Sequence, residues 1–341
     1  MELWTHDRAR FPLPPRHRFP LAKYSLLRRR VVELGLATPE EIHETEPVAW
    51  TLLERVHDGE LLRRIRLGEL SVREQRGLGL PWSPALVERG LRSVAGTLAA
   101  ARHALTHGVA MNLGGGTHHA GRAFARGYCL FNDVVCTLAQ LRADGLVEHA
   151  LVVDCDVHQG DGTADLLAAD PHAFTLSLHG ARNYPFQRIP SDLDVDLTTG
   201  TGDADYLEAL DHALDHALYR RPPEIAFYLA GADPWEGDRL GRLSLTKAGL
   251  RARDALVLDR LRAVGADVCV VLAGGYAEDV RDTVDINAAT AAVVAARHGG
   301  EGNRTPTSAL QRPRAPVITT PPEQDPSLVR PAPRPPTPSP R

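Results

Sequence analysis

Apolar runs and helical patterns alternate along this chain from about residue 83. In SPALVERGLRSVAGTLAAARHALTHG, Leu86, Val87, Leu91, Val94, Leu98 and Leu105 recur at helical spacing, with Ser83 as N-cap, Pro84 at the first helical position and Gly108 as the stop. A short strand is predicted at 108–113 (GVAMNL), followed by a helix after Asn132 (NDVVCTLAQLRADG) and a strand at 150–154. Then come the strand AFTLSLHG, a helix in GDADYLEALDHALDHAL, the strand EIAFYLAGAD, a helix from about Thr246, the strand DVCVVLAGGY and a closing helix, VRDTVDINAATAAVVAARH. Continuously apolar strands between amphipathic helices predict an α/β fold, with a mainly parallel sheet covered on both faces in three layers, α/β/α. No internal repeat interrupts the pattern.

Composition adds a boundary and removes some partners. From Gly299 onward the chain carries 12 of its 26 prolines and almost no large apolar residues, too few to offset the entropy of ordering. The expected organisation is a folded domain over 1–298 and a disordered, weakly basic tail over 299–341 whose partner the composition does not name. A formal net charge of −4 without any long basic run argues against nucleic acid as a partner. Cys129, Cys136, Cys155 and Cys269 lie far apart with no CxxC pair, which argues against a thiolate zinc site and fits a reducing compartment. The opening MELWTHDRARFPLPP lacks the apolar centre of a signal peptide, and no apolar run reaches membrane-spanning length. The expectation is a cytoplasmic protein with no membrane partner.

Polar residues collect where each apolar strand ends. His118 and His119 follow the first, Asp156 and His158 the second, and Ser177 and His179 stand at the third; Asp233 follows the fourth and Tyr276 the fifth. In open parallel sheets ligands bind beyond the carboxyl ends of the strands. The stretch ALVVDCDVHQGDG crowds Asp154, Asp156, His158 and Asp161 into eight positions. Three carboxylates this close raise one another's pKa unless positive charge sits among them. Asp156 and His158 face one side if the chain stays extended, and carboxylate plus imidazole suits a catalytic zinc with three protein ligands. Asp233 is the best third candidate. In GGGTHHAG (114–121), tandem imidazoles follow three glycines, where backbone can approach a ligand closely and each imidazole can serve as general acid or base. Asp154 and Asp161 then remain to hold one histidine N–H each. The plainer alternatives are a surface turn for Asp-x-His and a flexible loop for the histidine pair.

These segments resemble the histone deacetylase family within the arginase/deacetylase fold. The likeness is carried by GGGTHHAGRAFARGYCLFNDV, VVDCDVHQGDGT, TLSLHG, GADPWEGDRLGRLSLT and LAGGY, in the family's order over residues 112–276. Gln159 and HRFPLAKYSLLR look like the class IV branch and its bacterial relatives. The resemblance implies one zinc ion per chain on Asp156, His158 and Asp233, and tandem catalytic histidines His118 and His119 paired with Asp154 and Asp161. It makes Tyr276 the hydroxyl that polarises an amide carbonyl, and Gly127 and Tyr128 the wall of a channel for an acylated lysine. The family usually has phenylalanine where Tyr128 stands. A monovalent cation, K⁺, near Asp154 and Ser177 is a further implication, and Cys155 should face away from the metal.

The activity so implied is removal of acetyl or longer acyl groups from lysine in a protein or peptide, with His119 as base and His118 as electrostatic partner. Deacetylation of a small acylated amine such as an acetylpolyamine is the alternative, although relatives of that kind carry an acidic gatekeeper where Leu240 stands. A noncatalytic acyl-lysine binder is a third reading. A binuclear manganese hydrolase of the arginase type needs further carboxylates where Gly160 and Trp235 stand, so a single metal is expected.

Overall fold

The computed structural model describes residues 1–220 and 222–298; the segment 299–341, read above as a disordered tail, lies outside the described residues. Eight strands build one sheet: β1 (Leu3–Thr5), β2 (Ile42–Glu44), β3 (Val109–Asn112), β4 (Ala150–Asp154), β5 (Ala173–Gly180), β6 (Leu193–Leu197), β7 (Ile225–Leu229) and β8 (Asp267–Val271). Between them run α1 (Ala22–Glu33), α2 (Trp50–Leu53), α3 (Gly59–Leu67), α4 (Val72–Leu78), α5 (Pro84–His107), α6 (Asp133–Ala143), α7 (Asp161–Leu167), α8 (Asp203–Arg220), α9 (Lys247–Ala263) and α10 (Val280–Ala295). The strand order is β2-β1-β3-β8-β7-β4-β5-β6, and every pairing is parallel.

Side-chain alternation along the strands makes two apolar layers. Leu151 and Val153 pack with Leu27 of α1, Leu214 of α8, Leu258 of α9 and Val294 of α10. Val152 points the other way, toward Val94 of α5 and Leu138 of α6. Helices start where the sequence provides a side-chain acceptor: Ser83 accepts from Leu86 N, Asn132 from Val135 N and Thr246 from Gly249 N. Gly108, at φ +86°, ends α5.

The register places the site. Met111 pairs with Val270, Val271 with Leu229, and Leu229 with Asp154, so β3, β8, β7 and β4 end at one level. The chain leaves four neighbouring strands together, and the polar residues that follow arrive at one edge. β1, β2 and β6 were not anticipated. The first two are three residues long, and β6 is an edge strand whose Leu193, Val195 and Leu197 alternate with Asp194 and Asp196. A search for continuous apolar runs passes over such a half-buried pattern.

Candidate active site

Asp154, the last residue of β4, is buried and fully engaged: Oδ1 accepts from Asp156 N at 3.1 Å and Oδ2 faces His118 Nδ1 at 2.6 Å. Beyond it the chain bends. His158 N donates to Asp156 Oδ1 at 2.9 Å, closing a local turn, and His158 Nδ1 lies 2.9 Å from the same oxygen. Asp156 and His158 thus converge through a side-chain-capped turn and not through the extended pleat the spacing suggested. Asp233, after β7, completes the group: Oδ1 accepts from Val157 N at 2.9 Å, and Oδ2 stands 3.2 Å from His158 Nδ1.

This trio fits a metal ion. Asp156, His158 and Asp233 each offer a ligand atom within 4.8 Å of the others, and all three residues are buried. Asp233 Oδ2 has no hydrogen bond although Asp233 is 0% exposed, which leaves a buried acceptor without a donor. Two ligands about 2.0–2.1 Å from a tetrahedral zinc stand about 3.3 Å apart, close to the separations seen around His158 Nδ1. Two glycines keep the space clear. A Cβ on Gly274 would lie 2.0 Å from Asp233 Oδ2, and one on Gly231 would lie 2.9 Å from Asp156 Oδ2. Charge agrees with the geometry. Burial and the Asp156 carboxylate push Asp233 up to about 7. Burial opposes ionisation of Asp156, but His118 and His158 hold it below the usual carboxylate range. His158 would be disfavoured as a cation by burial, yet its hydrogen bond to Asp156 and the Asp233 carboxylate beside it raise it to about 10. The site therefore calls for positive charge at its centre.

The histidine pair lies alongside. His119 Nδ1 is 2.5 Å from Asp161 Oδ1, and the two imidazole rings are 4.1 Å apart, centroid to centroid. Arg126 grips the other Asp161 oxygen. Burial and repulsion from His118 depress His119 to about 4. Burial also works against a charge on His118, but Asp154 and Asp156 outweigh it and hold that imidazole up at about 9. One ring is thus neutral and its neighbour cationic at neutral pH.

Gly127 and Tyr128 form the wall over His119. A Cβ on Gly127, at φ +57°, would come within 2.5 Å of His119 Cδ2, so the close approach requires glycine. Tyr128 adopts φ +68°, a conformation costing a non-glycine residue roughly 1–2 kcal/mol. It is held there by donation of Tyr128 N to Leu78 O at 2.8 Å. The Tyr276 ring sits 5.8 Å from Tyr128 and 6.5 Å from His158. Its phenol is pushed well up by burial and by Asp156 and Asp233, so it stays a donor. These groups line one cavity, together with Gly116, Asp156 and Lys23. Ser177 stands opposite Asp154 in the sheet, but its Oγ pairs with His179 Nδ1 at 2.9 Å. With both Asp154 oxygens taken as well, the cation expected there gains no support from this geometry. Cys155 is buried in the apolar layer, away from the cavity.

Three groups were not anticipated. Tyr184 packs beside the site, its ring 5.0 Å from His119 and 6.5 Å from His158. Asp133 holds the glycine-rich loop: Oδ1 accepts from Thr117 N and Oγ1 at 2.7 and 2.5 Å, and Oδ2 from Gly116 N and Thr97 Oγ1 at 3.0 and 2.5 Å. Arg253, fully buried, donates through Nη1 to Gly231 O at 2.6 Å and Cys155 O at 3.2 Å, tying together the two segments that carry metal-ligand candidates. Asp254 balances it at 2.8 Å.

The family profile described as histone deacetylase domain matches residues 17–293. The chain belongs to the histone deacetylase family. Among members of the family and its neighbours, an uncharacterized protein of Picosynechococcus is 42% identical over 273 residues, covering 80% of this chain and 91% of that protein. Histone deacetylase 2 of Arabidopsis thaliana is 32% identical over 54% of this chain, which spans about half (49%) of that relative's length. The crystal structure of a histone deacetylase homologue from Aquifex aeolicus shares the fold, with TM-score 0.75, 21% identity and coverage of 91% of this chain and 88% of that one. Among the described residues no helix is long and apolar enough to cross a membrane.

Proposed function

We propose that this protein is a zinc-dependent amidohydrolase that removes acetyl or longer acyl groups from lysine side chains. The observation that carries the reading is the buried, hydrogen-bond-free Asp233 Oδ2 facing Asp156 and His158 beside two oppositely charged imidazoles. Held by those three residues, zinc supplies Lewis acidity that polarises an amide carbonyl and acidifies a water molecule.

The chain's own groups do the rest. His119 Nδ1–H donates to Asp161, which fixes the tautomer and leaves Nε2 free to accept a proton from the attacking water. The same nitrogen then returns that proton to the lysine amine as the C–N bond breaks, giving a carboxylic acid and a free amine. His118, kept cationic by Asp154, stabilises the negative charge that accumulates. Tyr276 donates its hydroxyl to the carbonyl oxygen as charge develops there. Tyr128 and Tyr184 confine the acyl-lysine stem and limit access of water to the proton-transfer step.

The donor set favours one metal. A second ion of the binuclear type has no side-chain ligand at Gly160, where a Cβ would meet Asp154 Oδ2 at 2.3 Å, nor at Trp235. The test is turnover, followed by mass spectrometry, of lysine peptides acylated from acetyl to myristoyl together with acetylated polyamines. Release from a lysine peptide that a zinc chelator abolishes supports the reading. Turnover of the polyamines alone transfers it to small acylated amines, and turnover of nothing by folded, zinc-loaded protein refutes it.

A further inference from the structure

The mouth of the pocket carries charge that hydrolysis does not use. Arg18 lies between His17 and Phe19, whose rings stand 6.1 and 5.5 Å from the ring of Tyr128. Arg239 Nε donates to Tyr276 O at 3.0 Å, which places its guanidinium beside the other edge of the opening. Arg76 lines a shallow groove with Val72, His17, Gly79 and Pro81. That groove abuts the channel wall, since a Cβ on Gly79 would meet Tyr128 Cε1 at 2.9 Å. All three arginines are exposed, and among the described residues none is held in an ion pair.

Two acids of the same loops, Asp161 and Asp238, are turned inward, while Glu236 and Glu278 are exposed. Asp161 is shared between His119 and Arg126. Asp238 accepts the backbone N–H groups of Tyr276, Leu240 and Gly241 at 2.6, 2.8 and 3.0 Å. The charges that act on the Tyr128 hydroxyl are those of Arg18 and Arg239, which oppose the rise imposed by its burial. At Tyr128, the wall that an incoming lysine stem must pass, the acting charges are therefore positive, although the whole chain is acidic at −4. A polyamine carries several ammonium groups and meets like charge there. A peptide with carboxylates beside the acyl-lysine meets opposite charge, with an apolar groove at Val72 and Pro81 for one of its neighbouring residues.

We propose that Arg18, Arg76 and Arg239 select, for the deacylase site proposed above and resting on that reading, an acyl-lysine flanked by aspartate or glutamate. The test uses the full chain loaded with zinc and three labelled acetyl-lysine peptides, identical except for acidic, neutral or basic flanks. Each is followed both by kcat/KM and by fluorescence anisotropy. At low salt the acidic peptide should exceed the basic one by about tenfold, and the ratio should shrink severalfold near 0.3 M salt, where the Debye length is about 6 Å. In an Arg18→Gln/Arg76→Gln double variant the acidic-to-basic ratio should move toward unity; a ratio taken within one protein is indifferent to a general loss of activity.

Equal kcat/KM for the three peptides, or preference for the basic one, overturns the selection and leaves the deacylase reading standing. Turnover of none refutes the deacylase reading, and the anisotropy then decides alone: tighter binding of the acidic peptide supports the arginine mouth, while equal binding or tighter binding of the basic one overturns it.

Discussion

Gly274→Ala adds one methyl group between two of the proposed metal ligands. The new Cβ would lie 2.0 Å from Asp233 Oδ2 and 2.5 Å from Asp156 Oδ2. An ordinary carbon–oxygen contact begins near 3.4 Å, so the two oxygens would have to retreat by about 1.4 and 0.9 Å. Metal–ligand distances tolerate about 0.2 Å, so both cannot retreat and still share an ion. Loss of an outer hydrogen bond to a ligand costs about 10–100-fold in metal affinity, and displacement of a ligand itself should cost at least the upper end, about 100-fold. Overpacking adds roughly 1–3 kcal/mol of destabilisation, which a domain of this size survives. The assay is zinc titration against a chromophoric chelator, with circular dichroism to show that the variant is folded. Gly202→Ala serves as control, because a Cβ there meets nothing within 4 Å. A folded Gly274→Ala protein with zinc affinity within about threefold of the parent would refute the placement of the metal between Asp156 and Asp233.

Three other outcomes follow from the same geometry. Tyr276→Phe should lower kcat by about 10²–10³ with zinc content unchanged, measured by turnover and elemental analysis; full activity would remove Tyr276 from the reaction. Because His119 must be neutral and His118 cationic, kcat/KM should be flat through neutral pH, fall as pH rises through about 9 where His118 loses its proton, and fall on the acid side only toward about 4. An acid limb centred near the ordinary histidine value of 6.5 would contradict the assignment of His119 as base. Asp133→Asn turns half of a four-bond acceptor into donors facing donors and should cost about 3 kcal/mol in urea unfolding, with activity lost in parallel as the loop before His118 loosens.

What could be read from the sequence follows a physical division. Strands buried on both faces are continuous apolar runs, so β3, β4, β5, β7 and β8 stood out, and their common parallel direction brought His118, Asp156, His158, Asp233 and Tyr276 to one edge. Local spacing carried Asp156 and His158 only part of the way: the pair was visible, but the turn that joins them depends on Asp156 Oδ1 capping His158 N, which side-chain period alone does not specify. The supports were hidden for a different reason. Asp133 holds Gly116 and Thr117 from 16–17 residues away, and Arg253 reaches Cys155 from a separation of 98. In the sequence each is simply a charged residue on an amphipathic helix. Tyr184 follows a strand that offered two polar residues of its own, Ser177 and His179, and these turn to each other instead of to the cavity.

The proposed hydrolysis depends on a metal ion held by Asp156, His158 and Asp233. The measurement that tests it most directly is turnover of an acetyl-lysine peptide by protein stripped of metal, before and after one equivalent of zinc, with metal counted by mass spectrometry. The prediction is one zinc per chain in the active protein, loss of turnover on stripping, and recovery on adding zinc. Undiminished turnover by protein shown to contain no metal, or one-zinc protein that is folded yet hydrolyses no acylated amine, would contradict it.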